Sequence, residues 1–254
     1  MQQKEEIALK HIVKTYTVPH TDIIVDHAAV PDRIQTVLQD LNLTIPCGQI
    51  TVIVGRSGCG KSTLLRLLHG ETEADSGEIC LPEGWHTALL CPDPYVITWT
   101  SVLRNVALAG GAGRTPEERM ALAEELVRLV GLEAYADLTP VALSTGMKQR
   151  LGLARVLASQ AQLLLLDEPF ASLDFITREE LQNELLAIQA RMPRSIVLVT
   201  HQLDEALLLG EKIIVMHTDS SLRSFDLSAL PYPRDLDTPM LRQLRREITE
   251  ECRK

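Results

Sequence analysis

The sequence predicts an α/β fold in which a mostly parallel β-sheet is flanked by helices. Short apolar runs rich in Val, Ile and Leu recur along the chain, and segments with helical spacing separate them. The runs occupy residues 50–54, 88–90, 163–166, 196–199 and 213–216. Continuous apolar runs are typical of strands that are buried on both faces. Strands that alternate with helices favour a parallel sheet, because each helical crossover brings the chain back to the same end of the sheet.

Helix-start signals support this alternation. Two segments open with Thr followed three residues later by Glu, a capping box, and then place apolar residues on one helical face. They are 116–130, opened by Thr115 and Glu118, and 177–190, opened by Thr177 and Glu180. Pro116 also stands at the first helical position of the former segment, where proline is favoured. We expect a helix over each segment.

The two ends and the middle of the chain differ from this pattern. In residues 7–45 apolar residues alternate with polar ones, which predicts a half-exposed antiparallel sheet. Residues 92–160 are mainly helical in pattern, so we expect a small helical subdomain there. Residues 217–254 form a short C-terminal extension with a charged helix at 238–252. Together these features predict one domain over residues 1–254.

The composition narrows the classes of partner. Lys and Arg total 25 and Asp and Glu total 34, so the net charge is −9 and the pI is near 5.3. Long-range electrostatics therefore do not favour binding to nucleic acid or to anionic membrane surfaces. No apolar run approaches the ~18 residues that span a bilayer, so we expect the chain in the cytosol or held at a membrane by a partner. Five cysteines without a CxxC pair argue against a zinc cluster.

A phosphate-binding motif follows the first apolar run. Residues 55–62 read Gly-Arg-Ser-Gly-Cys-Gly-Lys-Ser, which fits the pattern G-x-x-x-x-G-K-[ST]. A strand, a glycine loop and a helix N-terminus in succession bring backbone N–H groups together on an anion. We expect Lys61 to contact the β- and γ-phosphates and the Ser62 hydroxyl to bind Mg²⁺. The predicted nucleotide-binding residues of this segment are Gly55, Arg56, Ser57, Gly58, Cys59, Gly60, Lys61, Ser62 and Thr63.

Two carboxylates follow the strand predicted over 163–166. Asp167 and Glu168 stand at its carboxyl end, where α/β sheets place their ligands. Asp167 is expected to bind Mg²⁺ by orienting one of its waters. Glu168 is expected to accept a proton from an attacking water or to position that water. An acidic pair after a strand is weak on its own, since strand ends often meet solvent, but the phosphate-binding motif favours the functional interpretation.

A third motif points to a family. Residues 143–150 read LSTGMKQR, which is similar to an LSGGQ-type signature followed by a basic-Gln-Arg triplet. With this motif the chain resembles the ATP-binding subunits of ABC transporters over about residues 13–216, which implies a P-loop NTPase fold of the ABC type. On the residues alone, Ser144 either caps a helix or offers its hydroxyl and nearby N–H groups to a phosphate. The resemblance implies that Ser144 and Gly146 contact ATP bound to a second copy, so that two nucleotides lie inside a homodimer or a pair of ATPase subunits.

Further residues take roles from the same resemblance. Ser172, Leu173 and Asp174 look like the D-loop, in which Asp174 helps to couple the two nucleotide sites. His201 looks like the switch histidine that contacts the γ-phosphate, so His201, Glu168 and Lys61 are the candidate catalytic residues. Tyr16 looks like the aromatic residue that stacks on adenine, although packing in the core or on the surface explains it equally well.

The resemblance also implies partners. Residues 167–174, 177–186 and 200–206 look like the branch that serves nitrate, sulfonate and taurine importers, and polyamine and other importers share the DEPF type of segment at 167–170. Such a subunit works at the cytoplasmic face of the cell membrane with a transmembrane permease and, indirectly, with an extracytoplasmic solute-binding protein. No nucleic acid is expected. Residues 92–106, around Trp99 and Asn105, are the candidate permease surface, and packing of the helical subdomain is their alternative role.

Two departures from the family pattern keep other functions open. Pro92 stands where the family usually has a Mg²⁺-binding Gln, and proline offers neither a side-chain ligand nor an N–H. Thr145 replaces the first glycine of the signature, a mild change because a helical first turn does not need a positive φ. The alternatives are a non-transport ABC ATPase and a weakly hydrolysing regulatory nucleotide-binding module. ATP and Mg²⁺ are the expected cofactors.

Overall fold

The computed structural model describes residues 6–18, 33–111, 113–171 and 173–254. Within these ranges the chain forms two β-sheets, α-helices and two short 3-10 turns, at Glu133–Tyr135 and Pro140–Ala142. The strands are β1 (Glu6–Val18), β2 (Arg33–Pro46), β3 (Ile50–Val54), β4 (Ser76–Cys80), β5 (Thr87–Leu90), β6 (Leu163–Asp167), β7 (Ser195–Val199), β8 (Lys212–Met216) and β9 (Leu222–Asp226). The helices are α1 (Lys61–His69), α2 (Val102–Ala109), α3 (Pro116–Leu129), α4 (Thr145–Ala158), α5 (Phe175–Arg191), α6 (Leu203–Leu209) and α7 (Pro239–Arg253).

The larger sheet forms the centre of the molecule. Its six strands lie in the order β5-β6-β7-β3-β8-β9. The first five strands in this order, including β3, pair in parallel with their neighbours within this set. β9 pairs antiparallel with β8 at one edge. The prediction of a mostly parallel sheet is confirmed, since the five apolar runs fall in β3, β5, β6, β7 and β8. Every residue of β3, β6 and β7 is buried, because other elements cover both faces of these strands.

Successive side chains of the central strands enter two different cores. In β6, Leu164 and Leu166 pack in the core that joins the sheet to α2–α7. Leu163 and Leu165 pack in the core that joins the sheet to α1 and the smaller sheet. This alternation follows from the two-residue period of a strand. Because β3, β6 and β7 are parallel neighbours, their carboxyl ends reach the same edge of the sheet.

The smaller sheet is antiparallel, in the order β2-β1-β4. Ile7 lies opposite Ile45 and Leu9 lies opposite Leu43, and all four side chains are buried. Polar residues between them are exposed, as at Thr44. The prediction of a half-exposed antiparallel sheet over residues 7–45 is therefore confirmed for β1 and β2, while residues 19–32 lie outside the described part of the chain.

The helices α2, α3 and α4 lie inside the segment predicted to be helical. α3 begins at the predicted capping box. Thr115 Oγ1 accepts from the Glu118 N–H at 3.2 Å, and Glu118 Oε2 accepts from the Thr115 N–H at 2.8 Å. Both hydrogen bonds satisfy donors that a helix start leaves unpaired. Here the local sequence signal fixed the boundary of the element.

The predicted start of the helix over residues 177–190 is wrong. α5 begins at Phe175 and its N-cap is Asp174, whose Oδ1 accepts from the Thr177 N–H at 3.1 Å. Thr177 is thus the third residue of the helix and not its cap. Asp caps helices at least as well as Thr, and the earlier cap gives a longer helix. This start also places Asp174 at the junction between the loop after β6 and α5.

The C-terminal region adds one strand and one helix. β9 was not predicted, because Leu222–Asp226 is a half-exposed edge strand without a continuous apolar run. α7 matches the charged helix predicted at 238–252. Arg245 Nη2 lies 2.9 Å from Asp204 Oδ2, so an ion pair joins α7 to α6. None of the described helices combines the length and the apolar character needed to cross a bilayer.

Candidate nucleotide-binding site

Three loops meet at one edge of the larger sheet, where β3, β6 and β7 end. The loop 55–60 follows β3, the loop 168–174 follows β6 and the loop 200–202 follows β7. Each of them carries residues that the sequence singled out for binding or catalysis. Parallel strand order therefore brings together side chains that are more than 100 residues apart in the chain.

The loop after β3 exposes its middle and buries its ends. Arg56, Ser57, Gly58 and Ser62 are exposed, Gly55 and Thr63 are half-buried, and Cys59, Gly60 and Lys61 are buried. Gly60 caps α1 with a φ of 102°, in the left-handed region that favours glycine. A Cβ on Gly60 would lie 2.7 Å from Leu38 Cδ2, so packing as well as backbone conformation requires glycine there. The loop is thus built around its backbone, which suits an anion bound by N–H groups.

The Lys61 ammonium lies across its own loop. Nζ donates to the carbonyl oxygens of Gly55 and Arg56, each at 2.9 Å, and lies 3.8 Å from Cys59 Sγ. The cation is therefore held by neutral acceptors at the centre of the loop. A bound phosphate brings the opposite charge to the ammonium, and this Coulombic attraction favours the anion over the neutral carbonyls. This position is compatible with the phosphate contact predicted for Lys61.

Ser62 and Asp167 join α1 to the end of β6 through a side-chain hydrogen bond. The Asp167 carboxylate is only 5% exposed. Burial raises the pKa of Asp167, and the nearby Glu168 charge acts in the same direction. The Ser62 hydrogen bond and the cations of Arg66 and Lys61 oppose this rise in pKa. A hydroxyl and a carboxylate held together in this way are donors of the type that Mg²⁺ prefers.

Glu168 and His201 meet across two loops. His201 Nδ1 lies 2.8 Å from Glu168 Oε1, and the Glu168 N–H donates to the Val199 carbonyl at 2.9 Å. Glu168 has a φ of 49°, a left-handed conformation that non-glycine residues seldom adopt and that clusters at functional sites. Its second oxygen, Oε2, is buried and has no hydrogen-bond partner among the described residues. This oxygen can therefore accept a hydrogen bond from a bound water.

The signature residues lie at the start of α4. Ser144 is exposed and caps the helix, since its Oγ accepts from the Met147 N–H at 3.3 Å. Thr145 is exposed and Gly146 is half-buried in the first turn. α4 packs against α2, α3 and β5. The exposed start of the helix carries backbone N–H groups and the positive end of the helix dipole, both of which attract anions.

Tyr16 lies in β1, and Asp174 is the N-cap of α5. Tyr16, in β1, is 37% exposed, and Lys14 Nζ lies 5.4 Å from its ring centroid. Core packing is thereby excluded as the role of Tyr16, whereas surface packing and stacking on a base both fit. The N–H and hydroxyl of Thr177 hold the pKa of the Asp174 carboxyl below its usual range. Ser172, the first residue of the predicted D-loop, lies outside the described residues.

The segment 92–106 is only in part a surface. Asn105 is fully buried, so its prediction as part of a permease surface is wrong. Its Oδ1 accepts from the Ile97 N–H and from Arg155 Nη1, each at 2.8 Å, and its Nδ2 donates to the Ile97 carbonyl at 2.9 Å. Asn105 therefore fixes the loop before α2. Trp99 is 85% exposed, and Pro92 is exposed at the position of the expected Gln.

Four residues beside the loops of the Glu168–His201 pair received no individual role from the sequence. They are Arg178, Thr200, Gln202 and Glu205. Arg178 follows Asp174 by one helical turn, and the Glu205 carboxylate is only 3% exposed. A charged residue in an apolar helix such as α6 was an available signal, but its partners come from another element. Their contacts depend on how α5 and α6 pack, which local spacing does not encode.

Comparisons with known proteins agree with this architecture. The ABC transporter family matches residues 38–171. A nitrate import ATP-binding protein, NrtC of Synechococcus elongatus, is 39% identical over 227 residues, covering 83% of this chain and 34% of the relative. This chain thus spans about a third of that protein's length. An aliphatic sulfonates import ATP-binding protein, SsuB 2 of Pseudomonas syringae pv. tomato, is 38% identical over 91% of this chain and 97% of the relative. A taurine import ATP-binding protein, TauB of Pseudomonas aeruginosa, is 40% identical over 72% of each chain.

A solved structure is also similar. The ATP-binding cassette MJ0796, in a dimeric post-hydrolysis state bound to ADP and Pi, has a TM-score of 0.75 and 27% sequence identity. The match covers 87% of this chain and 98% of that one. The α/β cassette fold predicted from the sequence is confirmed, and so is the family that the three motifs indicated. The chain belongs to the ABC transporter family.

Proposed function

We propose that this chain is an ATP-hydrolysing subunit that powers the import of a small solute through a membrane permease. The observation that carries this proposal is the 2.8 Å contact between His201 Nδ1 and Glu168 Oε1, at the same sheet edge as the phosphate-binding loop. A carboxylate and an imidazole placed beside a phosphate cradle suit attack of water on a terminal phosphate. The related proteins are named for import of nitrate, sulfonates and taurine.

The triphosphate of ATP would lie on the loop 55–60 and the start of α1. The exposed backbone from Arg56 to Gly58 supplies N–H donors, and the adjoining helix start adds its dipole. Lys61 would exchange its two loop carbonyls for the β- and γ-phosphate oxygens. The exposed Tyr16 ring would stack on adenine.

The residues present also fit Mg²⁺. Asp167 is a buried carboxylate whose pKa burial raises, and a divalent cation would offset that unfavourable burial of charge. Ser62 and Asp167 already lie within hydrogen-bond distance and would hold the ion between them, directly or through water. When bound, Mg²⁺ would neutralise charge on the β- and γ-phosphates. Pro92, at the position where the family pattern has a Mg²⁺-binding Gln, and Asp93 are both exposed, and of the two only Asp93 offers a side-chain oxygen.

Glu168 and His201 would have different roles toward the attacking water. Glu168 Oε2, which is buried and unpartnered, would accept a hydrogen bond from that water and position it. His201 holds the other carboxylate oxygen and thereby fixes the direction in which Oε2 acts. The His201 side chain is 62% exposed, and its other ring nitrogen, Nε2, would contact the γ-phosphate as charge develops.

The site would be completed by a second copy of the chain. Ser144 and Thr145, at the start of α4, are exposed, and this helix start carries the donors that a γ-phosphate needs. A phosphate held between the loop of one copy and the α4 of another makes nucleotide part of the interface. Hydrolysis removes that bridge, so ATP and ADP favour closed and open pairs respectively. The similar cassette MJ0796 is itself dimeric with ADP and Pi.

The permease would dock on a groove between the loop before α2 and the helices α2 and α3. The groove has a volume of about 650 Å³ and includes Ile97, Trp99, Leu108 and Met120. Trp99 and Leu108 are 85% and 58% exposed, an unusual amount for large apolar side chains that lie together. Aromatic residues of this kind are typical anchors of protein interfaces. In this arrangement the chain lies peripherally at the cytoplasmic face of the membrane.

The solute would be a small anion or zwitterion of the nitrate, sulfonate or taurine type, delivered by an extracytoplasmic solute-binding protein. This assignment rests on the relatives alone, since the site described above addresses nucleotide. Pro92 favours one second candidate, a weakly hydrolysing regulatory module, because it removes a metal ligand and an N–H. The intact set of Lys61, Glu168 and His201 favours the transport ATPase over that module.

The test is purification of the tagged full-length chain from native membranes, followed by reconstitution of the complex with its solute-binding protein. We expect a multi-span membrane protein to co-purify, and we expect ATP to drive uptake of nitrate, taurine or an alkanesulfonate. A non-hydrolysable ATP analogue is the control and should support no uptake. Co-purified RNA or DNA, or ATP hydrolysis that no membrane partner and no solute changes, would contradict the proposal.

A further inference from the structure

Arg178 connects the two loops that carry the catalytic pair. Its Nη2 donates to the Leu173 carbonyl at 2.9 Å, in the loop that leads from Glu168 to α5. Its Nη1 donates to Gln202 Oε1 at 2.8 Å, in the loop directly after His201. One planar guanidinium therefore holds one acceptor in each loop. This fork geometry is specific to arginine, since lysine presents a single flexible ammonium.

Buried hydrogen bonds also hold the loop after β7, which contains His201. Thr200, which immediately precedes His201, is fully buried, and its Oγ1 donates to Glu205 Oε2 at 2.7 Å. The same hydroxyl accepts from the Gln202 N–H at 3.0 Å. Thr200 is thus anchored directly to the Glu205 carboxylate, and Gln202 is anchored to it through the Thr200 hydroxyl. These two hydrogen bonds restrain the backbone on both sides of His201.

Arg178 also lies near the carboxylate of Glu205. Arg178 Nε lies 3.8 Å from Glu205 Oε1, inside ion-pair range but beyond hydrogen-bond distance. Neither of these two atoms has a hydrogen-bond partner among the described residues. The Arg178 and Glu205 groups therefore face each other, and their ion pair joins α5 to α6 directly beside the two loops.

We propose that Arg178 is a positioning residue that keeps Glu168 and His201 in register for hydrolysis, by tying the loop after β6 to the loop after β7. The inference rests on the proposed hydrolytic function of the same site. Arg178 touches neither nucleotide nor water in this role. Because the loop 55–60 is outside the network, ATP binding should be independent of Arg178.

The test compares turnover and ATP affinity in three variants of the full-length chain. Arg178→Lys keeps the charge but loses the fork, and Gln202→Leu removes one acceptor at similar volume. Arg194→Lys is the matched control, because Arg194 is another half-buried arginine whose Nη1 and Nη2 donate to the Ser159 and Leu157 carbonyls, at 3.1 and 3.2 Å. These carbonyls lie at the end of α4, on elements that carry neither Glu168 nor His201.

We expect Arg178→Lys and Gln202→Leu to lower kcat by about 10- to 100-fold with a KM for ATP within about twofold of wild type, because small misplacements at a reacting centre are costly. Arg194→Lys should lower thermal stability but leave kcat within about twofold. The proposal is overturned if Arg178→Lys keeps wild-type kcat. It is overturned equally if Arg178→Lys and Arg194→Lys lose the same fraction of kcat, as a purely structural role would require.

A second readout does not depend on turnover. The imidazole ¹⁵N chemical shifts of His201, assigned with the His201→Gln variant, should move in Arg178→Lys and stay unchanged in Arg194→Lys. If the wild type does not hydrolyse ATP even with its membrane partner, the proposed function fails, while the ¹⁵N comparison still decides the role of Arg178. Unchanged His201 shifts in Arg178→Lys would reject that role.

Discussion

Two regions of the molecule hold their functional groups in different ways. We call the proposed site at the sheet edge (Lys61, Ser62, Asp167, Glu168 and His201) the catalytic edge, and we call the exposed residues Trp99, Leu108 and Ser144 of the helical segment the helical face. At the catalytic edge the groups contact each other or their own loops, as in the 2.8 Å pair of His201 and Glu168. At the helical face the side chains are exposed. The edge is therefore preorganised within one chain, whereas the exposed groups of the helical face are open to the contacts with other molecules that the proposed function requires.

The largest change in activity is expected from a substitution in the catalytic edge. Glu168→Gln should lower kcat for ATP hydrolysis by on the order of 10² to 10⁴-fold, because the amide no longer accepts a proton or orients water as the carboxylate does. Glu124→Gln, the same change at an exposed position of α3, is the control and should leave kcat unchanged. The measurement is steady-state phosphate release. A Glu168→Gln variant that keeps more than a tenth of wild-type turnover would show that hydrolysis does not depend on this carboxylate.

A smaller effect concerns the helical face. Trp99→Ala should weaken association with the permease by about 10-fold or more, the usual cost of removing an aromatic interface anchor. It should leave ATP hydrolysis by the isolated chain unchanged, because the catalytic edge does not include Trp99. Binding to permease-containing membranes measures the first quantity. Tyr135→Ala, at another exposed aromatic residue, is the control, and equal losses for both variants would contradict the docking assignment.

The smallest effect is on thermal stability and comes from the buried carboxyl of Asp167. Burial raises the pKa of Asp167, so the folded state holds that proton more tightly than the unfolded state does. The stability that belongs to the protonated carboxyl is fully present below the unfolded pKa and is lost as pH rises through the folded pKa. Asp167→Asn should therefore raise Tm at pH 7, by about 2–4 °C if the gain is ~1 kcal/mol.

This gain should disappear on acidification below the unfolded pKa of aspartate, because the wild-type carboxyl is then protonated in both states. Thermal unfolding of both proteins between pH 7 and the acid limit of their folding is the measurement. A Tm difference that stays constant over this range would mean that the charge of Asp167 is not its cause. Mg²⁺ and ATP should reduce the difference at pH 7, since they would compensate the charge in the wild type only.

The sequence was sufficient where a local pattern determines the structure. The apolar runs marked β3, β6 and β7, because strands covered on both faces need continuous hydrophobicity. Thr115 marked the start of α3, since a capping box is a local hydrogen-bond pattern. Thr177 failed as a marker because Asp174, three residues earlier, competes for the same role and lengthens the helix.

The site was predictable as a set of residues but not as a geometry. Motif spacing pointed to Lys61 and Glu168, yet neither the φ of 49° at Glu168 nor its contact with His201 follows from spacing. Asn105 was misassigned because a polar residue in a helix resembles a surface residue until its buried hydrogen bonds are seen. Arg178 was missed because its partners lie in two loops that come together only when the strands and helices pack.

The most direct test of the account is whether a second copy completes the nucleotide site. Glu168→Gln should prevent hydrolysis and preserve bound ATP, so sedimentation analysis with Mg²⁺ and ATP should show a dimer that ADP does not support. Lys61→Met should stay monomeric under the same conditions, because it lacks the phosphate contact. A Glu168→Gln protein that remains monomeric with saturating ATP, even beside its membrane partner, would contradict the account.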